Sequence, residues 1–466
     1  MKKIIAFILL FFSVHTFAQN SIDEDTAATP VVTAVGKPDG KKTAIKITKD
    51  GGSLKSSDGL VELIFPAGAI SKKIDISIQP ITNLINNGNG QAYRFEPSGI
   101  HFQKPVQVIF HYDAEEIKDN MQLLMGIAMQ DDKGQWYGLQ NSEIDTVAKT
   151  ISGSINHFSD WSSFSELKID PSYARVKVNK TRGLTINIVT EETGDDLLAP
   201  LSPLKKRGIS WRAVWTANAI VNGNATEGKI SVISKTSISY KAPAALPPKN
   251  PVEVAAELKG LNYKTKDRGK SITLTDLRLV SNILIYDDAY EVTMINEIED
   301  PGFGTNLGSV FYRDTGSFVV SLNSREARLI ERVNRNTSAE MKYSGGCCYN
   351  YRITKPGSGN IHIAGTPVIK VTPPSAPEKP AIVEIRFNRF PAIFPVFQVT
   401  CQCPNDKAPM NHSNARGIVM MANFLRADPE YIKFEAKEGE HTIIEKGKPG
   451  DPIYYKFTVK RLVEDR

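Results

Sequence analysis

Cysteine is scarce in this 466-residue chain, and all four copies fall in the last third: Cys347, Cys348, Cys401 and Cys403. Past the first nineteen residues, no segment approaches the ~18 consecutive apolar residues of a membrane-spanning helix. The phrases that mark common enzyme classes are missing. There is no Gly-x-Ser-x-Gly, no His-Glu-x-x-His and no phosphate-cradling glycine loop leading into a helix. Net charge is slight, +6 from 57 basic and 51 acidic residues, and it falls to +4 once Lys2 and Lys3 leave with an N-terminal leader. Neither a basic cluster nor an aromatic stacking motif accompanies it, which argues against nucleic acid as partner. The acidic doublets Asp131-Asp132, Asp195-Asp196 and Asp287-Asp288 lack the alternating spacing of a calcium loop. His101, His111, His362, His412 and His441 stand alone in sequence. No metal and no cofactor is expected.

What is present begins with Met1–Gln19. Lys2 and Lys3 precede an unbroken apolar run from Ile4 to Phe12, and Thr16 and Ala18 form a small-residue cleavage site. This reads as a signal peptide (1–19) cut near Ala18, so the mature chain is expected to be secreted, periplasmic or on the cell surface, with no membrane insertion. In that compartment cysteines form disulfides. A Cys347–Cys348 bond would strain its peptide, and Cys401–Cys403 would close too small a ring. Pairing is therefore expected between the two doublets, by either of two connectivities.

Residues 20–42 read as a flexible tether. Beyond them, period-two alternation dominates, as in Lys73–Pro80, Val106–His111, Val252–Ala256 and Ile382–Phe387. Turn signals such as Asn86-Asn87-Gly88-Asn89-Gly90, Asp132-Lys133-Gly134 and Asn222-Gly223 separate these runs. Short alternating strands between Gly and Asn turns predict an all-β chain of tandem antiparallel β-sandwiches. Helical stretches are few: one turn around Glu115–Met121 and a short helix over Ser324–Arg332. Three blocks are expected, at 43–166, 167–262 and 271–466. The Lys-rich stretch Lys264–Lys270 leads into the last, and Pro373–Pro380 forms an extended connection inside it.

The first block carries Gly59–Ile70, with the phrase Phe65-Pro66-Ala67-Gly68-Ala69-Ile70, then Pro97–Val106, and it closes on His157-Phe158-Ser159-Asp160-Trp161. In these residues it resembles the ZU-five domain of zonula occludens proteins, netrin receptors and ankyrins, which implies a β-sandwich. The second block resembles bacterial immunoglobulin-like modules through Trp215, Val221–Ile230 and Tyr240-Lys241-Ala242-Pro243, which implies Trp215 as a core anchor. The third block, 271–466, resembles no family.

His-Phe-Ser at the end of a ZU-five domain is similar to the self-cleavage site of some animal relatives. That similarity implies Ser159 attacking the Phe158 carbonyl, with His157 taking the hydroxyl proton. Core aromatics at Phe158, Trp161 and Phe164 in a closing strand account for the same residues without chemistry. The function expected first is a non-catalytic secreted or envelope protein, a binding, adhesion or structural module whose partner is an extracellular protein or glycan. A self-processing module cleaving Phe158–Ser159 is the second reading. An extracellular glycan- or peptide-acting hydrolase with its site in the C-terminal region is the third.

Overall fold

The structure is a computed structural model. It describes residues 30–113, 117, 120–191, 197–203, 211–300, 310–322, 328–329, 333–341, 348–355, 357–361, 368–376, 378–386, 396–401, 410–413, 431–449, 451 and 453–463. The protein is all-β and its sheets are almost wholly antiparallel. No α-helix occurs among the described residues; of the turn expected over Glu115–Met121, residues 115, 116, 118 and 119 lie outside them, and a 3-10 turn begins only at its end, Met121–Leu124. Of the expected helix Ser324–Arg332, Arg328–Leu329 form a short strand and the rest lies outside the described residues. The leader 1–19 lies outside them too.

Two large sheets pack face to face over residues 30–286. One, of twelve strands, runs in the order Thr43–Ile47, Ile74–Ile81, Gly88–Glu96, Asp160–Ser165, Met125–Gln130, Trp136–Leu139, Leu198–Pro203, Thr181–Glu191, Ser237–Lys241, Gly228–Val232, Gly223–Asn224, with Leu167–Asp170 also on Thr181–Glu191. The other, of ten strands, links Lys270–Tyr286 and Val252–Asp267 through Glu143–Asp145 to Thr150–His157, His101–His111 and Val61–Phe65. Alternation sets the faces: Val61, Leu63 and Phe65 point into the core while Glu62 and Ile64 are half-buried. Pro66 ends that strand, and Gly68 takes φ +80°, which no β-branched residue accepts without strain.

Both sheets cross the border expected between the first two blocks. Leu198, Ala199 and Pro200 pair with Leu139, Gly138 and Tyr137. In the other sheet Asp267 pairs with Ile144, and Thr146 donates its amide (3.1 Å) and hydroxyl (2.9 Å) to the Asp267 carboxylate. One hydrophobic cluster follows them, from Val61, Ile78 and Phe95 through Leu139 and Trp161 to Trp215, Tyr240, Val254 and Leu279. Trp215 is buried in it. The expected boundary at 262–271 falls inside a hairpin: Val252–Asp267 and Lys270–Tyr286 pair from Asp267↔Lys270 back to Val252↔Ile283. Arg268 and Gly269 turn it with φ of 48° and 72°, the two positive values of a type I′ turn. The lysines of 264–270 alternate along the tip of this hairpin, which explains why a charged run is strand and not linker.

The tether expected over 20–42 is docked from residue 30 onward. Val31 is buried with Ile85, Ala128, Trp136, Phe164, Val189 and Leu201 on the outer face of the twelve-stranded sheet. Gln130 Nε2 donates to the Thr33 carbonyl (3.0 Å), and Trp136 Nε1 donates to the Thr33 hydroxyl (2.9 Å). An apolar outer face needs a cover, and residues 30–38 supply it.

From Ala289 onward a seven-stranded sheet, centred on Ala289–Asp300, Val310–Ser321 and Ile453–Arg461, packs Tyr290, Val292, Phe318 and Val320 against Val383, Ile385, Ile432 and Phe434 of a three-stranded sheet. The Pro-rich stretch bridges two antiparallel strands of that small sheet, Val368–Thr372 and Ile382–Arg386. A third sheet joins Cys348–Lys355, Val396–Cys401 and Met410–Ser413.

Candidate functional site

His157 ends the strand Thr150–His157, and Asp160 begins the next. Phe158 between them is buried against Phe65, Phe95 and Phe102, with ring centroids 6.2, 5.6 and 4.9 Å away in edge-to-face arrangements. Its neighbours are anchored as well. The Ser159 carbonyl accepts from the Phe95 amide at 3.1 Å, and the Ser159 hydroxyl donates to the Gln130 carbonyl. Asp160 is clamped by Arg94 in a two-pronged pair, Nε to Oδ1 at 2.8 Å and Nη2 to Oδ2 at 2.7 Å.

His157 sits opposite His101 in register, the rings stacked at 5.8 Å, with the Trp161 ring 6.4 Å away. Burial, and secondly the nearby His101, hold the His157 imidazole below its ordinary value. It is thus neutral near pH 7, as a base must be. The hydroxyl it would have to deprotonate is turned to Gln130 instead, and none of residues 157–159 has a positive φ. The chain brings the three residues together as a packed corner.

Of the four cysteines, Cys347 and Cys403 lie outside the described residues. Backbone register places Cys348 opposite Cys401.

A second place draws on both sequence blocks. The turn Ile85–Gly88 closes through the Gly88 amide to the Ile85 carbonyl at 3.1 Å, with Asn87 at φ 63°, a conformation asparagine tolerates. Asn87 is tied down on two sides: its carbonyl accepts from Ser165 at 2.9 Å, and its Nδ2 donates to the Asn187 carbonyl at 3.2 Å. Across from the turn run Lys168–Asp170 and Asn187, neighbours through the Leu167–Asp170 and Thr181–Glu191 pairing. Between them lies a cleft of about 320 Å³, lined by Ile85, Asn86, Asn87, Gly88, Lys168, Asp170, Ser172 and Asn187. The Lys168 ammonium donates to the Gly88 carbonyl at 2.6 Å. Burial pulls this lysine below its ordinary value, partly offset by Asp170. In the sequence the Asn-rich run 86–90 was legible only as a turn. Lys168, Asp170 and Asn187 carried no signal because pairing, not spacing, gathers them.

Another cleft, about 230 Å³, sits where the two halves meet and holds Lys177, Asp287, Asp288, Glu438 and Arg461. Arg461 pairs there with Asp288 at 3.0 Å and with Glu438, so its charges answer one another. No family model matches the chain, and no curated protein matches it.

Proposed function

We propose that this is a secreted or cell-envelope protein that binds an extracellular protein or glycan without turning it over. The observation that supports this most is the polar cleft at the Asn86–Gly88 turn. It is formed where strands of both blocks meet on one continuous sandwich, and its backbone is fixed by hydrogen bonds to Ser165 and Asn187. Rigid sheets that hold a loop-edged polar cleft suit recognition, because binding groups are then ordered before the ligand arrives. The ZU-five-like and immunoglobulin-like resemblances point the same way, since both describe sandwich modules that act as platforms. Disulfides between the two cysteine doublets would fit an exported chain.

The test is a glycan and protein array probed with purified Gln19–Arg466, followed by incubation with whatever binds. Saturable binding with the ligand recovered intact is expected. A ligand recovered cut would replace the binding reading with the hydrolase one.

A further inference from the structure

We propose that the cleft between the Asn86–Gly88 turn and the Leu167–Asp170 strand is a subsite for an acidic sugar, its carboxylate on Lys168 and its hydroxyls on Asn86, Asp170, Ser172 and Asn187. This deepens the binding reading and rests on it.

The assignment begins with a charge. An ammonium offers three donors, and Gly88 takes one from Lys168. Among the described residues no carboxylate forms an ion pair with Lys168, and Asp170 acts on it only at longer range. A cation drawn out of water with donors to spare is stabilised by an anion, and the cost of its burial is what such an anion would offset.

The rest of the lining narrows the anion. Ile85 is its sole apolar residue, and its side chain is buried in the cluster under Val31, so an apolar or aromatic ligand has nothing to bury against. Asn86 and Asn187 each offer an amide donor and an acceptor, Ser172 a hydroxyl, and Asp170 an acceptor for hydroxyl protons. That set matches vicinal sugar hydroxyls. A doubly charged phosphate fits less well, because it would face Asp170 with one cation to balance it. At about 320 Å³ the space is at the small end of ligand pockets, ~300–1,000 Å³, which suits one sugar ring better than a folded peptide. The turn is already ordered by Ser165 and Asn187, so little is spent on arranging it.

Titration calorimetry on the full mature chain tests this with five probes: trisaccharides of galacturonate, of mannuronate and of guluronate, the neutral galactotriose, and acetate as a free carboxylate. At least one uronate trisaccharide should bind, galactotriose at least ~10-fold more weakly, and acetate not measurably. Lys168→Met should cut the uronate affinity by roughly 10- to 100-fold, the worth of one charged hydrogen bond. Lys168→Arg, which keeps the charge, should restore most of it. An unchanged near-ultraviolet circular dichroism spectrum in both variants shows that the fold is kept.

Equal binding of acidic and neutral trisaccharides, or full affinity in Lys168→Met, overturns the acidic-sugar assignment and leaves the binding reading standing. Silence from every uronate probe also overturns it, and array binding to a protein would still uphold the broader reading. New reducing ends in the uronate sample would overturn the broader reading itself.

Discussion

The two halves of the chain solve the same problem with different means. Residues 30–286 bury two large sheets around one continuous hydrophobic cluster, with a smaller cluster under residues 30–38 on the outer face. Residues 289–463 distribute their strands over three smaller sheets, and the described core there is a compact patch around Tyr290, Phe318 and Phe434. All four cysteines fall in that second half. In an exported chain cysteines usually pair. We propose that the first half stands on packing alone and that the second adds cross-links to its packing.

The largest effects should come from the packed half. Phe158→Ala removes the ring shared by Phe65, Phe95 and Phe102 and should cost ~3–5 kcal/mol in urea unfolding. Trp215→Ala should cost as much, measured in the whole chain. A Leu167–Gly260 fragment would lose both Lys270–Tyr286 and the Trp136–Leu139 edge, so it should not fold alone.

Next in size is the half that holds the cysteines. Opposed residues of an antiparallel pair sit ~4.5–5.5 Å apart at Cα, inside the range a disulfide spans. The Cys348↔Cys401 register therefore favours that bond, leaving Cys347 with Cys403. Reduction should destabilise the second half by ~4 kcal/mol on the chain-entropy argument for a loop of about fifty residues, and leave the first half's transition in place. Non-reducing peptide mapping reads the connectivity; free thiols would remove the contrast.

A smaller effect is expected at the Arg94–Asp160 clamp. Arg94→Met leaves a largely buried carboxylate unpaired, but Arg94 is partly in solvent, so ~1–3 kcal/mol is the expected loss by thermal melting.

Smaller still is the response to acid. Burial, first among the causes, lowers the titration of both His157 and His111 in the first half. A histidine whose folded value lies below its unfolded one, ~6.5, contributes stability that is present above pH ~6.5 and is lost as pH falls through that value toward the folded one. The first half should thus weaken between pH 7 and 5.5, and His157→Gln with His111→Gln should flatten that slope. The smallest expected effect is none: intact-mass spectrometry of the mature chain should give one species, identical in pattern for Ser159→Ala, because the Ser159 hydroxyl is held by Gln130.

Much of the architecture could be read before any coordinates. Period-two alternation sufficed for the strands and the fold class, but Asn222-Gly223 turns no hairpin: it lies between two separate pairings, and the tight turn is Asn218-Ala219, φ 46° and 68°, between Thr216↔Val221 and Ala217↔Ile220. What escaped was long-range pairing. Nothing in Leu198–Pro203 says that it will sit beside Trp136–Leu139, so the blocks looked separable. Arg268-Gly269 makes a hairpin without the Asn or Asp that usually announces one. Asp160–Ser165 is polar at four of six positions, yet every residue in it is buried, with Trp161 in the main core and Phe164 in the smaller cluster under Val31. The Phe158 and Trp161 core positions were legible. The cleft at Lys168 was not, because its walls come from strands eighty residues apart.

The continuity of the first half is tested most directly by comparing Phe158→Ala and Trp215→Ala in one calorimetric experiment. The two residues lie in different sequence blocks and in one hydrophobic cluster. If that cluster is a single cooperative core, both substitutions lower the same unfolding transition and leave the other where it was. Two transitions that respond separately, one to each substitution, would contradict it and return 43–166 and 167–262 to the status of independent domains.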